Sequence, residues 1–320
     1  MKHALITGIG GQDGTLLSWY LHQDGWRVSG VVGCHTQEIP ERPETEKIFR
    51  LDLTDAQAVE QLIAEIKPDV VFHLAARHFS SEHEKMQEAE YWTAMDGVNV
   101  MATKLLTEAM IRHVPHATLI YAGSSQMYTP TKPVVMVDEQ TPFNPINYYA
   151  KTKIEATQYL HEIYMAGQLK TVTAILFNHE SPLRSVDFLS RKISLAVAKI
   201  SLGHEENLHL RNIGSMVDWS AAEDIAQALK LIAITPCAPR FILGSGRLRG
   251  VRTMLNTAFT IIGKNWQDHV SFDKDETGMA LCAKPDFARS VLYWRSAISF
   301  EEMISRMIEI DRERIKSGAS

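Results

Sequence analysis

Three cysteines in 320 residues, Cys34, Cys237 and Cys282, are too few and too scattered to cross-link the chain. Their odd number and wide spacing also fit no zinc pattern, and they suit a reducing compartment. There is no excess of positive charge. The formal net charge is −5, which removes the electrostatic case for nucleic acid or an anionic membrane as a partner. No apolar run approaches the roughly 20 residues that span a bilayer. The first residues lead straight into an apolar strand, without the basic-then-apolar order of a secretion signal. Internal repeats and low-complexity tracts are missing as well. These absences point to a cytoplasmic location. What is present, 45% hydrophobic and 22% charged residues, is the composition of a globular protein with a sizeable core, in one large domain or two unequal ones.

Residues His3 to Thr7 form a short apolar run, followed by Gly8-Ile9-Gly10-Gly11-Gln12-Asp13-Gly14. Leu16, Leu17, Tyr20 and Leu21 then recur at helical spacing. Strand, glycine turn and helix in that order make a dinucleotide fingerprint. Gly8 permits the turn, Gly11 lets backbone N–H groups approach a pyrophosphate, and Gly14 lets the helix pack on the strand. The second strand, Arg27 to Gly33, ends in Gly33-Cys34-His35-Thr36. An acid there would bind the adenosine ribose 2′-hydroxyl. None is present, which favours NADP over NAD. Asp52 and Leu53 end a third strand in a loop suited to border an adenine ring, and Asp55 is placed to cap the next helix.

Asp69 to Leu74 read as a buried strand ending in Ala75-Ala76, small enough for backbone to pass close to a cofactor. Residues 92 to 113 read as one long helix. Leu119 to Tyr121 deliver Ser124 and Ser125 at the carboxyl end of a fifth strand, the end at which open parallel sheets bind ligands. Tyr149 and Lys153 stand four residues apart at the start of a helix that runs to Met165, so they project from one face. A Lys ammonium one turn away stabilises a phenolate, and Ser124 can bond the same substrate oxygen. Together they would shuttle a proton while an alcohol is oxidised or a ketone reduced. From the motif alone, a surface aromatic and a solvated Lys would look the same. A sixth strand covers Thr171 to Leu176.

This alternation gives an α/β fold, a doubly wound parallel (Rossmann) sheet over residues 1–177. Residues 178–320 read as a smaller mixed lobe that binds substrate, with short segments free to return to the sheet. Its helices are expected at 191–202, 222–234, 254–262 and 300–314, short strands at 208–210 and 240–243, and a frayed end over 316–320. His73, His78 and His83 are too irregularly spaced for a metal site, so no metal is expected.

Taken in order, Thr7-Gly8-x-x-Gly11-x-x-Gly14, His73-Leu74-Ala75-Ala76, Ser124 and Tyr149-x-x-x-Lys153 resemble the extended short-chain dehydrogenase/reductases that act on nucleotide sugars. Gly11-Gln12-Asp13-Gly14, Thr141-Pro142-Phe143, the run Leu176 to Pro182 and Arg191-Lys192-Ile193 are similar to the GDP-mannose 4,6-dehydratase family. The resemblance covers about residues 3 to 310. It implies catalysis by Ser124, Tyr149 and Lys153, with hydride exchange at sugar C4. It extends the cofactor set Gly8, Gly11, Gln12, Asp13, Gly14, Asp52, Leu53, Leu74, Ala75, Ala76, Tyr149 and Lys153 to Asn99 and His179. It implies substrate contacts from Ser125, Asn178, Arg184, Arg191, Lys192 and Arg252, a GDP-linked hexose as ligand, and a homodimer built on the helices around Asn99 and Tyr149.

The resemblance also places a carboxylate base for C5 at position 126, where this chain has Gln126. An amide is not a general base. Glu139 and Glu155 read more simply as surface charges. Redox at C4 is therefore expected to survive, and 4,6-elimination is put in question. Reduction of a 4-keto-6-deoxy nucleotide sugar, epimerisation, or a catalytically silent dinucleotide-binding paralogue are the alternatives.

Overall fold

The computed structural model describes residues 1–36, 44–77, 88–204, 207–236 and 238–318. Cys237, His78 and His83 lie outside them. From the amino terminus come β1 (His3–Thr7), α1 (Gln12–Gln23), β2 (Arg27–Val32), β3 (Lys47–Arg50), α2 (Ala56–Ile66) and β4 (Val70–His73). Next are α3 (Glu88–Asp96), α4 (Ala102–His113), β5 (Thr118–Ser124), β6 (Val134–Val137), α5 (Tyr148–Met165), β7 (Lys170–Leu176) and β8 (Asn178–Glu180). Then follow α6 (Leu189–Ser201), β9 (Leu208–Asn212), β10 (Met216–Ala221), α7 (Ala222–Ile234), β11 (Arg240–Leu243) and β12 (Leu248–Gly250). The chain closes with α8 (Val251–Ile261), β13 (Val270–Lys274), β14 (Ala280–Ala283), α9 (Asp286–Val291) and α10 (Phe300–Ser317).

Seven parallel strands form the main sheet in the order β11-β7-β5-β4-β1-β2-β3. Its central strands are buried on both faces and read as near-continuous apolar runs for that reason. One face carries α1 and α7 over Ile6, Val28, Phe72 and Ile120. The other carries α2, α4 and α5 over Leu5, Val31, Val71, Leu119 and Tyr121. The expected doubly wound architecture is thus present. β11 belongs to this sheet although it lies beyond residue 177, and its register pairs Arg240 with Thr173.

A separate core joins α6, α8 and α10 through Ile193, Val197, Met254, Phe259, Met303 and Met307. Beside it β8, β10 and β12 form a small sheet, and two-stranded pairs join β13 to β9 and β14 to β6. α10 continues to Ser317, so the fraying expected from residue 316 does not begin there. Ser299 accepts from the Glu302 amide and Gly318 closes the helix in the left-handed conformation. The long helix expected over 92–113 starts four residues earlier and is interrupted by a π-helical turn at Gly97–Met101. Asp55 caps α2 as expected, accepting from the amides of Gln57 and Ala58. Among the described residues no helix is long and apolar enough to cross a membrane, and no cluster of His, Cys, Asp or Glu could hold a metal.

Candidate active site

β1 delivers the chain into the glycine turn, where Gly8 takes φ +73°. A Cβ at Gly8 would lie 2.8 Å from the Ala75 nitrogen, and one at Gly14 2.5 Å from the Ile9 Cα. Side chains do not approach that closely, so both positions require glycine for packing. Gly11 is the N-cap of α1 and offers no side chain to its first N–H groups. A helix start left uncapped, beside backbone bare of Cβ, fits the pyrophosphate of a dinucleotide.

The turn is tied to β8 by four side chains. Gln12 Nε2 donates to the His179 carbonyl at 3.1 Å, and Ser181 Oγ donates to Gln12 Oε1 at 2.8 Å. His179 Nδ1 lies 2.6 Å from the Phe177 carbonyl, and Nε2 lies 3.0 Å from Asp13 Oδ1. Both ring nitrogens face acceptors, so the ring donates twice as an imidazolium. Burial opposes charge on both partners, but their mutual attraction outweighs it. His179 is held above and Asp13 below the ordinary value.

A polar chain crosses the sheet beside this turn. Thr7 Oγ1 is 2.7 Å from His73 Nδ1, His73 Nε2 is 3.1 Å from Thr103 Oγ1, and Thr103 donates to the Asn99 carbonyl at 2.9 Å. Thr103 spends its proton on that carbonyl, so His73 Nε2 must donate and Nδ1 must accept from Thr7. Burial, with Lys153 nearby, drives His73 down to about 3, which keeps it neutral. Asn99 sits in the π-helical turn. Its side chain accepts from the Arg77 amide at 2.9 Å and donates to the Arg77 carbonyl at 3.2 Å and to Thr152 Oγ1 at 3.0 Å. The widened turn aims Asn99 at the loop that follows β4, where Leu74, Ala75 and Ala76 lie.

β5 ends at Ser124, whose hydroxyl accepts from the Gln126 amide at 3.2 Å and caps a 3₁₀ turn over Ser125–Met127. α5 starts at Asn147, whose Oδ1 accepts from the Ala150 amide at 2.9 Å. Its first turns bury Tyr149 and Lys153. Lys153 Nζ donates to the Ala122 carbonyl at 2.9 Å and lies 5.8 Å from the centre of the Tyr149 ring. Burial pulls its ammonium down to about 7. Burial also pushes the Tyr149 phenol up to about 12, against a hydrogen bond from Ser124 and the charge of Arg184. In this interior, desolvation of the phenolate exceeds what those neighbours return.

Gln126 Oε1 accepts from Asn147 Nδ2 at 2.8 Å. Glu139 accepts from the Ile242 amide at 2.8 Å, and Glu155 pairs with Lys104 at 2.9 Å, so each has another task. Asn147 was missed from the sequence as a site residue, although an Asn directly before a helical run signals an N-cap. Glu180 was missed too. It is 2% exposed, accepts from Ser190 Oγ at 2.5 Å and lies 3.5 Å from the Arg184 Nε.

The remaining expected residues divide. Arg184 lies near Tyr149, Asp13 and Glu180, with its guanidinium 3.6 Å from the centre of the Phe188 ring. Asn178 opens β8 opposite Trp219. Ser125 is half-buried in the 3₁₀ turn, Leu53 is buried, and Asp52 accepts from Thr54 at the exposed end of β3. Arg191 differs from expectation. It is buried in an ion pair with Asp311 that joins α6 to α10, because a desolvated guanidinium needs a carboxylate more than a surface does. Lys192 beside it is half-buried, and Arg252 is exposed at the start of α8, paired with Asp275.

A family model described as GDP-mannose 4,6 dehydratase matches residues 5–307. GDP-mannose 4,6 dehydratase 1 of Arabidopsis thaliana is 31% identical over 334 residues, covering 98% of this chain and 91% of the relative. GDP-mannose 4,6 dehydratase of Homo sapiens is 29% identical over 356 residues, covering 98% and 92%. Among solved structures, RMD from Pseudomonas aeruginosa complexed with NADPH matches with a TM-score of 0.82 at 18% identity, over 98% of this chain and 100% of the other. The dTDP-glucose 4,6-dehydratase of Bacillus anthracis in complex with NAD matches with a TM-score of 0.83 at 17% identity, over 99% and 98%. These two likenesses are ones of fold. The sequence matches run through the glycine turn, Tyr149 and Lys153 to α10, and on their extent this chain belongs to the GDP-mannose 4,6-dehydratase family, built on the extended short-chain dehydrogenase/reductase fold.

Proposed function

We propose that this protein is an NADP(H)-dependent enzyme that acts on a nucleotide-linked hexose, a GDP-sugar first, and carries out redox at sugar C4 without eliminating water. The observation that carries the reading is Gln126. The family resemblance expects a carboxylate at that position, and here an amide accepts from Asn147. An amide cannot remove the C5 proton. Glu139 and Glu155 are engaged by the Ile242 amide and by Lys104.

Gly8, Gly11 and Gly14 would hold the dinucleotide, with Gln12, Asp13 and His179 fixing the turn and Asn99 the loop of Ala75 and Ala76. When bound, it supplies the donor and acceptor of hydride. Ser124 hydrogen-bonds the C4 oxygen and Tyr149 holds the proton that oxygen gains or loses. A phenol pushed up to about 12 arrives protonated, so it is set to give a proton to a ketone. Lys153, charged below about 7, stabilises the phenolate left behind. With no base for C5 at position 126, reduction of a 4-keto-6-deoxy nucleotide sugar is favoured over 4,6-dehydration. Asn178, Ser125, Arg184 and Lys192 are the substrate contacts of this reading. Arg191 and Arg252 are engaged by Asp311 and Asp275.

The described turn after β2, Gly33–Thr36, carries no carboxylate, which supports NADP before NAD. The two-fold pairing of α4 and α5 in a homodimer belongs to the same reading, as does the division near residue 177. The test is hydride transfer to a panel of 4-keto nucleotide sugars by the unmodified protein and by Tyr149→Phe. Transfer that vanishes in the variant supports the reading. No transfer to any of them, with NADPH bound, would favour the silent paralogue.

A further inference from the structure

A cavity of about 810 Å³ opens where the end of β10 and the chain from Ser245 to Arg249 meet the segment between α9 and α10. It shares no lining residue with the glycine turn, Ser124, Tyr149 or Lys153. Four arginines border it, Arg247, Arg249, Arg289 and Arg295, against one carboxylate, Glu301. In a chain of net charge −5 that is a local reversal of sign.

The segment that forms its wall is fixed. Trp294 Nε1 donates to the Asp224 carbonyl at 2.8 Å, and the Asp224 carboxylate accepts from Ser296 Oγ at 2.9 Å and from the amides of Ala297 and Ile298 at 3.0 and 3.1 Å. The residue before Trp294 takes a left-handed backbone conformation. That residue is Tyr293, at φ +52° and 91% exposed. A bulky side chain is strained in that conformation, where glycine would sit at ease. Its ring is barely covered by the protein. The chain therefore places an aromatic ring, at a conformational cost, on the rim of an arginine-lined cavity.

We propose that this cavity is a second, accessory site for a nucleoside diphosphate or a ligand of that class. Guanidinium forks match phosphate oxygens two at a time, and a free ring offers a stacking face to a base. The volume is that of a small-molecule site. Arg289 is held toward the cavity by Asp286 and the Ser245 carbonyl, and the Arg249 guanidinium lies 5.8 Å from the centre of the Phe300 ring.

Calorimetry on the full chain with inorganic pyrophosphate and with GDP tests it. Pyrophosphate is expected to bind, and Arg247→Ser/Arg295→Ser to weaken it at least tenfold while NADPH affinity stays within twofold. Tyr293→Gly is expected to leave pyrophosphate affinity unchanged, to weaken GDP at this site at least threefold, and not to lower the melting temperature. A purely structural Tyr293 would change stability alone. Absent pyrophosphate binding, or binding unchanged in the arginine variant, would overturn the proposal. So would competition between pyrophosphate and NADPH. None of these outcomes depends on whether Tyr149 transfers a proton.

Discussion

Asn147 uses both ends of its amide at once. Oδ1 caps the helix that carries Tyr149, and Nδ2 donates to Gln126. Position 126 is thereby joined to the start of α5. A carboxylate in place of the Gln126 amide would accept the same hydrogen bond, and more strongly. Gln126→Glu should therefore fold with a melting temperature within a few degrees of the parent. It should also gain a base where the family resemblance expects one. The expected outcome is that the 4-keto-6-deoxy product from GDP-mannose rises at least about tenfold, measured by product analysis. A folded variant with no gain would show that position 126 is not what limits elimination.

Tyr149→Phe removes the proton carrier and leaves the ring. A positioned general acid contributes about 10²- to 10⁴-fold, so turnover with a 4-keto substrate should fall by that amount. NADPH affinity should change little, since the glycine turn is untouched. Equal loss of cofactor binding would mean that the substitution disturbs the fold instead.

Lys153 gives the pH dependence a sign. Its folded value is pulled down to about 7 from 10.5 by burial. The charged form that stabilises a phenolate is thus present below about 7 and lost above it. Turnover in the reducing direction should decline as pH rises through about 7. A rate that climbs through that range would contradict this role. The same burial makes Lys153→Met a stabilising change at neutral pH, because a desolvated ammonium is removed, even as activity is lost. Thermal melting checks the first half of that statement and turnover the second.

His73 contributes to acid stability. Its folded value is about 3 against 6.5 unfolded, so the unfolded chain takes up the proton first. Stability from this group is complete above 6.5 and is lost as pH falls below it. The loss should reach about 3 kcal/mol by about pH 4. His73→Asn, which cannot titrate, should flatten that limb in chemical denaturation. A limb of unchanged slope would assign acid unfolding to other groups.

The main sheet was readable because its strands are local patterns. β1, β4, β5 and β7 are apolar runs that follow or precede turn residues, and the helices between them carry their period in sequence. β6 and β14 were not readable. Val134 pairs with Ala280, and a pairing between two four-residue runs so far apart in the chain leaves no local mark in the sequence. Arg191 illustrates the same limit in the site. A basic residue in the first turn of a helix looks solvated until Asp311, far along the chain, arrives beside it. Tyr149 and Lys153 could be placed on one face from spacing alone. How deeply they are buried decides the direction of their proton affinities, and burial is a property of the whole fold.

The most direct measurement is product analysis of the unmodified protein given two substrates in parallel, GDP-mannose and a GDP-linked 4-keto-6-deoxyhexose with NADPH. Consumption of NADPH and reduction at C4 are expected with the second, and little or no dehydrated product from the first. Efficient conversion of GDP-mannose to its 4-keto-6-deoxy product by the chain as it stands would contradict this reading.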